Sequence, residues 1–331
     1  MSDTFRAFVA DHEAGVPSGV REMSEADLEG DVLIDVSWSS LNYKDGLASI
    51  PEGKVARRSP LIVGIDVAGT VVSSSDDRYR PGDGVIAHGY DIGVGHHGGL
   101  AQRAKMPGDW VVRLPEGMDA RAAMVLGTAG YTALASILAL EEERGLEPAD
   151  GPVLVTGATG GVGSTAVAIL AKRGYEVIAS TGKESATDWL KALGATEVVG
   201  REAVSDHAAR PLSKQLWAAC VDSVGGQILA GALSALKAGG AIAASGLTGG
   251  AKLETTVMPF ILRGCALLGI DSSVTPQAER QRIWDLAADD YRPADLEALV
   301  HGEIGLDAVT GNLQTILKGG MQGRVLVEPG R

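Results

Sequence analysis

Only two cysteines occur in 331 residues, and neither precedes position 220. A structural zinc lobe held by four thiolates therefore cannot be built in the first part of the chain. Cys220 and Cys265 both fall in apolar runs and read as buried thiols of a reducing cytosol. Histidine is nearly as scarce, with six residues. Only His96 and His97 adjoin, and adjacent side chains with no other soft ligand nearby rarely hold one metal ion. The expectation is no bound metal, and a glycine-flanked loop there that meets substrate or solvent. Basic residues are outnumbered 29 to 42, for a net charge of −13. With no basic stripe, nucleic acid is excluded as a partner. An anionic substrate would need a locally basic mouth in this acidic surface. No apolar run reaches the roughly 18–20 residues of a membrane span, so no membrane association is expected. Met1 to Ala10 is polar with scattered apolar residues and does not read as a signal peptide, so a cytoplasmic location is expected.

Against these absences stands one dense motif, Val153-Leu154-Val155-Thr156-Gly157-Ala158-Thr159-Gly160-Gly161-Val162-Gly163. An apolar β-branched run stops at a glycine cluster. Val167, Ala168, Leu170 and Ala171 then follow at helical spacing. The pattern is strand, tight turn, helix. A helix entered this way aims bare N–H groups and its positive dipole end at whatever lies on the turn. Ala158, Gly160 and Gly163 occupy the three places of a G-x-G-x-x-G fingerprint, with alanine in the first. Thr159, Gly160, Gly161 and Val162 are expected to carry a nucleotide diphosphate, the alternative being an ordinary tight turn.

The next strand candidate, Tyr175 to Ser180, lacks the Asp or Glu that would bind a ribose 2′-hydroxyl. It runs out instead in Ser180, Thr181, Gly182 and Lys183. Two hydroxyls and an ammonium suit a 2′-phosphate, which a carboxylate would repel. NADPH is therefore expected over NADH, with Arg201 as a second cation. Solvated surface charge is the alternative for Lys183 and Arg201.

The N-terminal third reads as β-rich. Asp31 to Ser37 alternates apolar and polar residues, and short strand candidates follow at Leu61–Val63, Val67–Val72, Gly84–Ala87, Leu100–Ala104 and Trp110–Arg113. Pro81-Gly82-Asp83-Gly84 is a turn. A long helix is expected from Ala120 past Gly127 towards Glu143. From Val153 the rhythm changes to strand–helix alternation, with apolar strands at Val153–Thr156, Val177–Ser180, Val198–Val199, Ala218–Asp222, Ala241–Ser245 and Leu267–Ile270. Such alternation implies a doubly wound parallel sheet. The closing strand, Arg324–Val327, is expected to return to the N-terminal domain.

Several blocks follow one another in the order of a known family. They are Ser40-Leu41-Asn42-Tyr43-Lys44-Asp45, Gly64-Ile65-Asp66-Val67-Ala68-Gly69, Gly127-Thr128-Ala129-Gly130-Tyr131-Thr132-Ala133, the nucleotide turn, Ser180 to Lys183, Asp222-Ser223-Val224-Gly225-Gly226, and Pro259 to Gly264 through Gly269 to Ser272. Over nearly its whole length the chain resembles the medium-chain dehydrogenase/reductase superfamily. Within it, the chain is similar to the zinc-free acrylyl-CoA reductase group, whose members also carry the name quinone oxidoreductase. The resemblance implies an α/β fold of two domains. One is a GroES-like partial β-barrel, residues 1–125 and 276–331. The other is a Rossmann doubly wound parallel sheet, residues 126–275. It further implies a homodimer and metal-free, NADPH-dependent reduction of the C=C bond of a small acyl-CoA, acryloyl-CoA, to propanoyl-CoA. Where zinc-dependent relatives carry a His-Glu pair, this chain has Ile65-Asp66. Reduction of quinones or free α,β-unsaturated ketones is the alternative, and a protein that binds NADPH without turnover is the alternative of another class.

Hydride addition at the β-carbon moves negative charge onto the carbonyl oxygen, which must be stabilised while a proton reaches the α-carbon. Asn42, Tyr43 and Asp45 are the catalytic candidates: an amide donor, an aromatic face with a phenolic hydroxyl, and a carboxylate to orient or relay. Capping and packing are their structural alternatives. By the same resemblance Tyr43 and Thr128 approach the nicotinamide. Ser245, Gly246 and Leu247 end a strand where open α/β sheets bind ligands. Ile270 and Ser272 end the last strand. Arg324 is a candidate for a phosphate of cofactor or CoA, with a salt bridge as its alternative. Lys44, Lys54, Arg57 and Arg58 are candidates to line a CoA entrance.

Overall fold

The computed structural model describes residues 4–331, and the chain divides into two units. The first comprises residues through Thr128, Ser272–Asp289 and Val300–Arg331; the second comprises Ala129–Asp271 and Asp290–Leu299. In chain order the first unit opens with β1 (Thr4–Asp11), β2 (Val16–Ser24), β3 (Val32–Ser40), β4 (Leu61–Ile62), β5 (Asp66–Ser74), β6 (Gly84–His88), β7 (Arg103–Met106) and β8 (Val111–Arg113). The second holds β9 (Val153–Val155), β10 (Val177–Ser180), β11 (Glu197–Val199), β12 (Trp217–Asp222), β13 (Leu236–Ala244) and β14 (Ala266–Gly269). The chain then returns to the first unit for β15 (Val300–Ile304) and β16 (Arg324–Val327).

In the first unit, one sheet runs β15-β16-β3-β5-β6-β8 with β7 also paired to β3, and a smaller one runs β2-β1-β4. β1 was not foreseen as a strand. It alternates between two cores rather than between core and water. Phe8 and Ala10 pack with Leu41, Leu61 and Val325, while Phe5, Ala7 and Val9 pack with Leu28, Leu33 and Ile62. A strand covered on both faces shows no apolar–polar period, so the pattern is silent there. The main sheet has a consequence for chemistry. β16 begins at Arg324, β3 ends at Ser40 and β5 begins at Asp66; Leu326 pairs with Ser40 and Ala68 with Trp38, so all three polar residues meet at one sheet end.

In the second unit six parallel strands run β11-β10-β9-β12-β13-β14. Strand order reverses between β9 and β12, which makes the crevice beyond their carboxyl ends the ligand position of a doubly wound sheet. β9 and β12 are buried along their whole length, as central parallel strands are. The segment Asp290–Leu299 belongs here rather than with the residues around it. Tyr291 Oη donates to Glu141 Oε2 at 2.5 Å, the Arg173 guanidinium lies 4.0 Å from the Tyr291 ring, and Trp189 Nε1 donates to the Ala298 carbonyl at 2.8 Å.

The division of the chain after Thr128 falls within a helical stretch, and that stretch corrects two expectations. Ala120–Glu143 is long and apolar enough to cross a membrane by length and composition, but 83% of its apolar window is buried inside the protein, as in a core helix. Nor is the helix continuous. Within Ala120–Leu138, Gly127 has φ 54° and ψ −159°, which breaks the hydrogen-bond ladder. A β-carbon at Gly127 would lie 2.4 Å from Asp66 Oδ2, 2.6 Å from Ser40 Oγ and 2.7 Å from Arg324 Nη2. The break therefore needs glycine twice, for its dihedrals and for the polar groups seated against it. Gly127→Ala is expected to destabilise the fold by about 3–5 kcal/mol, as strain and overpacking combine. Urea unfolding measures this, and a loss under about 1 kcal/mol would contradict it.

Candidate active site

In the second unit the nucleotide turn follows β9. The left-handed position is Gly157, at φ 58°, one residue before the alanine read as the first fingerprint place. α-Helical structure resumes at Gly161–Lys172, with Gly160 as its N-cap. The first intrahelical bond runs from Ser164 N–H to the Gly160 carbonyl, so the N–H groups of Gly161, Val162 and Gly163 precede it and face out of the helix end. Two glycines do different work. A β-carbon at Gly163 would sit 2.4 Å from the Gly157 carbonyl oxygen and 2.7 Å from Ala158 Cα, so helix and turn touch there. At Gly160, which is exposed, the nearest atom would be 3.4 Å away. The protein tolerates a side chain at Gly160; space above the backbone is what it would fill. Thr156 Oγ1 donates to Asp222 Oδ1 at 2.5 Å, tying the ends of β9 and β12 together, and Gly225 N–H donates to Asp222 Oδ2 at 2.8 Å. Burial pushes the Asp222 carboxyl above its ordinary range.

At the end of β10, Ser180 and Thr181 are buried and Thr159 Oγ1 lies 3.5 Å from Thr181 Oγ1. Arg201 folds back over Gly182, whose β-carbon would lie 2.8 Å from its Nε. Burial, and then Arg201, pull the Lys183 ammonium below its ordinary pKa. Two cations thus converge on one corner of hydroxyls where an NAD site carries a carboxylate. Ser245 continues the sheet, its N–H donating to the Asp222 carbonyl at 2.8 Å. Gly246 is required by contact, since its β-carbon would meet the Ser223 carbonyl oxygen at 2.2 Å, and Leu247 is exposed. Ile270 N–H bonds the Ala244 carbonyl. Ser272 falls across the division, in the first unit.

In the first unit the short helix Tyr43–Ala48 leaves β3 directly. Asp45 Oδ2 accepts the Asn42 N–H at 2.7 Å, and its Oδ1 accepts the Ile65 N–H at 2.9 Å. Burial first, and the Asp66 charge second, push the Asp45 carboxyl up to about 7. Asn42 is equally committed: Nδ2 donates to Asp66 Oδ2 at 2.7 Å and to the Ser40 carbonyl, while Oδ1 accepts from Arg324 Nη1 at 3.2 Å. Both residues were catalytic candidates; in the structure each of their side-chain polar atoms has a protein partner. Tyr43 differs: 41% exposed, with no hydrogen-bond partner for its hydroxyl among the described residues. Capping by Asn42 and Asp45 is what presents it.

Asp66 is the centre of this cluster. Its Oδ1 accepts the Thr128 N–H at 2.8 Å and the Thr128 hydroxyl at 2.6 Å; its Oδ2 accepts from Ser40 Oγ at 2.5 Å. Arg324 Nη2 lies 3.5 Å from Asp66 Oδ2 and donates to Ser40 Oγ at 2.6 Å, while Nε donates to the Val125 carbonyl at 3.1 Å. Arg324, 2% exposed, is thus an internal residue, and its expected contact with a phosphate is withdrawn. The Thr128 hydroxyl hydrogen goes to Asp66, leaving that oxygen an acceptor. His96 and His97 also differ from expectation. His97 Nδ1 accepts the Ile62 N–H at 3.0 Å and burial lowers its pKa to about 4; the His96 ring bonds the Glu29 and His97 carbonyls. Both are structural.

Residues 28–116 match the alcohol dehydrogenase GroES-like domain and residues 161–289 the zinc-binding dehydrogenase family. A Bacillus subtilis protein, YhfP, named provisionally as a quinone oxidoreductase, is 51% identical over 99% of this chain and all of its own length. The crystal structure of yhfP with NAD bound superposes with a TM-score of 0.96, 50% identity, and coverage of 99% and 100%. Acrylyl-CoA reductase AcuI from Ruegeria pomeroyi is 49% identical over 98% of this chain and 99% of its own. The yhdH oxidoreductase from Salmonella enterica, crystallised with NADP, is 46% identical with a TM-score of 0.94, covering 98% and 99%. The chain belongs to the zinc-free acrylyl-CoA reductase and quinone oxidoreductase group of medium-chain dehydrogenases/reductases. It has the GroES-like domain and Rossmann sheet of that superfamily.

Zinc, which the name of one matched family implies, does not suit the residues present. Among the described residues no three His, Cys, Asp or Glu side chains group to hold a metal. Both thiols are buried in the second unit, and Asp66 is occupied by four donors and an arginine. Ser40 and Asp66 were missed as site residues. A lone carboxylate inside the apolar run Ile65-Asp66-Val67-Ala68 was the available signal, since such a group must find partners. Gly160→Val is expected to remove nucleotide binding and leave unfolding unchanged, whereas Gly163→Val lowers the unfolding midpoint. Dinucleotide titration and thermal melts of both variants check this; equal melting losses would contradict the division of roles.

Proposed function

We propose that this NADPH-dependent oxidoreductase reduces the C=C bond of acryloyl-CoA to propanoyl-CoA without a metal. The observation that carries the reading is the pairing of a reductase's two requirements in this chain. One is a dinucleotide turn with a cationic 2′-phosphate corner. The other is a solvent-facing phenol held by a buried charge cluster. The 49% identity to an acrylyl-CoA reductase supports the thioester; the provisional name of YhfP favours quinones as the second reading. Homodimerisation and a cytoplasmic location belong to this reading as expectations of the family.

The turn fits the cofactor: three N–H groups at a helix N-terminus and an open position over Gly160 receive a diphosphate, as Lys183, Arg201 and Thr181 receive a 2′-phosphate. NADPH supplies the hydride when bound. The Tyr43 hydroxyl then donates to the oxygen that gains charge, or passes a proton to the α-carbon. Asn42 and Asp45 fix the helix start on which Tyr43 sits. Thr128, held by Asp66, offers an acceptor oxygen to a carboxamide N–H.

Cofactor choice tests the first half. Lys183→Ala is expected to weaken NADPH about tenfold to a hundredfold, the worth of one charge-assisted contact of ~1.5–3 kcal/mol, with little change for NADH. Equal losses for both dinucleotides would remove the 2′-phosphate assignment. Substrate tests the second. kcat/KM for acryloyl-CoA should exceed that for benzoquinone in one buffer, and Tyr43→Phe should lower turnover about a hundredfold with NADPH binding intact. A quinone value equal to or above the thioester's promotes the second reading, and undiminished turnover in Tyr43→Phe leaves the proton to solvent.

A further inference from the structure

Next to Tyr43 in sequence, Lys44 lines a hollow of about 500 Å³ in the first unit. The volume is that of a site for a nucleotide-sized group. Lys54, Arg57, Tyr90, Asp91 and Val274 share its lining. Lys44 and Lys54 are exposed, and their ammonium groups have no ionic or hydrogen-bonding partner among the described residues. Arg57 pairs with Asp91, so the one carboxylate in the lining is already neutralised. A local excess of two positive charges therefore stands in a chain whose net charge is −13. Arg58, the fourth cation considered for such a role, pairs instead with Glu29 at 3.4 Å and does not line the hollow.

The walls are built rather than incidental. Lys54 (φ 52°) and Tyr90 (φ 46°) are the only non-glycine residues with left-handed backbone among the described residues, and both line this hollow. Strain of this kind persists only where the surroundings enforce it. Tyr90 is clamped: its ring stacks on Trp110 with centroids 5.1 Å apart, the Arg280 guanidinium lies 4.6 Å from the ring, and its N–H bonds the Ser273 carbonyl at 2.6 Å. Val274, 64% exposed, adds an apolar surface. A second hollow of this unit, about 360 Å³, is lined by residues such as Phe8, Val16, Ile50 and Leu317 and contains no lysine or arginine.

We propose that the cationic hollow holds the phosphate-bearing arm of a CoA thioester, with Lys44 and Lys54 on the phosphates and Tyr90 and Val274 as its fixed wall. This rests on the acyl-CoA reading of the same unit and names the residues that would select the carrier. An inorganic anion would leave most of the volume empty, whereas a nucleotide arm bears several negative charges and an apolar base. Lys44 follows Tyr43 on one short helix, so a carrier gripped at Lys44 is gripped beside the reactive hydroxyl. Contacts remote from the reacting carbon orient it, and appear as a preference for the full carrier over a truncated one.

The test compares acryloyl-CoA with acryloyl-pantetheine, which lacks the phosphates, in the wild type and in Lys44→Ala/Lys54→Ala. The wild type is expected to prefer the CoA ester, and the double variant to lose about tenfold or more of that preference through KM, with the remainder falling as salt rises. Calorimetric titration of NADPH-saturated protein with desulfo-CoA gives a readout independent of turnover, and its affinity should fall in parallel. An unchanged preference with unchanged desulfo-CoA affinity overturns the proposal even if acryloyl-CoA is the substrate. If the wild type does not reduce acryloyl-CoA, the functional reading fails on its own. The hollow is then decided by the titration alone: affinity lost in the double variant supports it, and no binding to wild type overturns it.

Discussion

A carboxylate buried away from bulk solvent must be neutralised, and the first unit is organised around that requirement at Asp66. Arg324, 2% exposed, supplies the charge, and Ser40, Asn42 and Thr128 supply the hydrogen bonds. Isolated burial of either ion would cost several kcal/mol. The pair holds more than itself. The helix broken at Gly127 frees the N–H of Thr128 and the carbonyl of Val125, and Asp66 and Arg324 take one each. Asn42, bonded by both, becomes a rigid cap for the helix that shows Tyr43 to solvent. One ion pair therefore accounts for the glycine, the helix break and the exposed phenol together.

That arrangement separates residues that act from residues that place. Asp66 is fully engaged by arginine and three side-chain donors, whereas the Tyr43 hydroxyl beside this cluster faces solvent. Asp45 illustrates the cost of the scaffold. Its carboxyl, pushed up to about 7 by burial and by Asp66, is held by two backbone N–H groups that fix where the Tyr43 helix begins. In the second unit the same economy appears in glycine. Gly163 lets helix and turn touch, and Gly160 leaves room for a ligand.

The second unit was the more legible in sequence. Central parallel strands are buried on both faces and read as short apolar runs, and β10 and the end of β12 fall where those runs were seen. Ser180, Thr181, Lys183 and Arg201 were read together from a missing carboxylate, and the structure places Arg201 against Gly182 beside the other three. The first unit was harder. β1 sits between two cores and has no polar face to set a period. The break at Gly127 was invisible because apolar spacing continues across it, and its cause lies in three residues distant in sequence. Arg324 was read as a ligand for phosphate because sequence shows a cation without showing its partner. Asn42 and Asp45 were read for their chemistry, and the inward hydrogen bonds that hold them are made to residues the local pattern does not reveal.

The central claim is that Asp66 and Arg324 act as one unit, and a double-mutant cycle tests it most directly. Unfolding free energies would be measured for wild type, Asp66→Asn, Arg324→Met and the double variant. The account predicts a loss of about 3–5 kcal/mol in Arg324→Met, which strands a buried charge, and little further loss in the double variant, for a coupling of about 2 kcal/mol or more. Losses that add to within about 0.5 kcal/mol would show two independent residues and contradict the account.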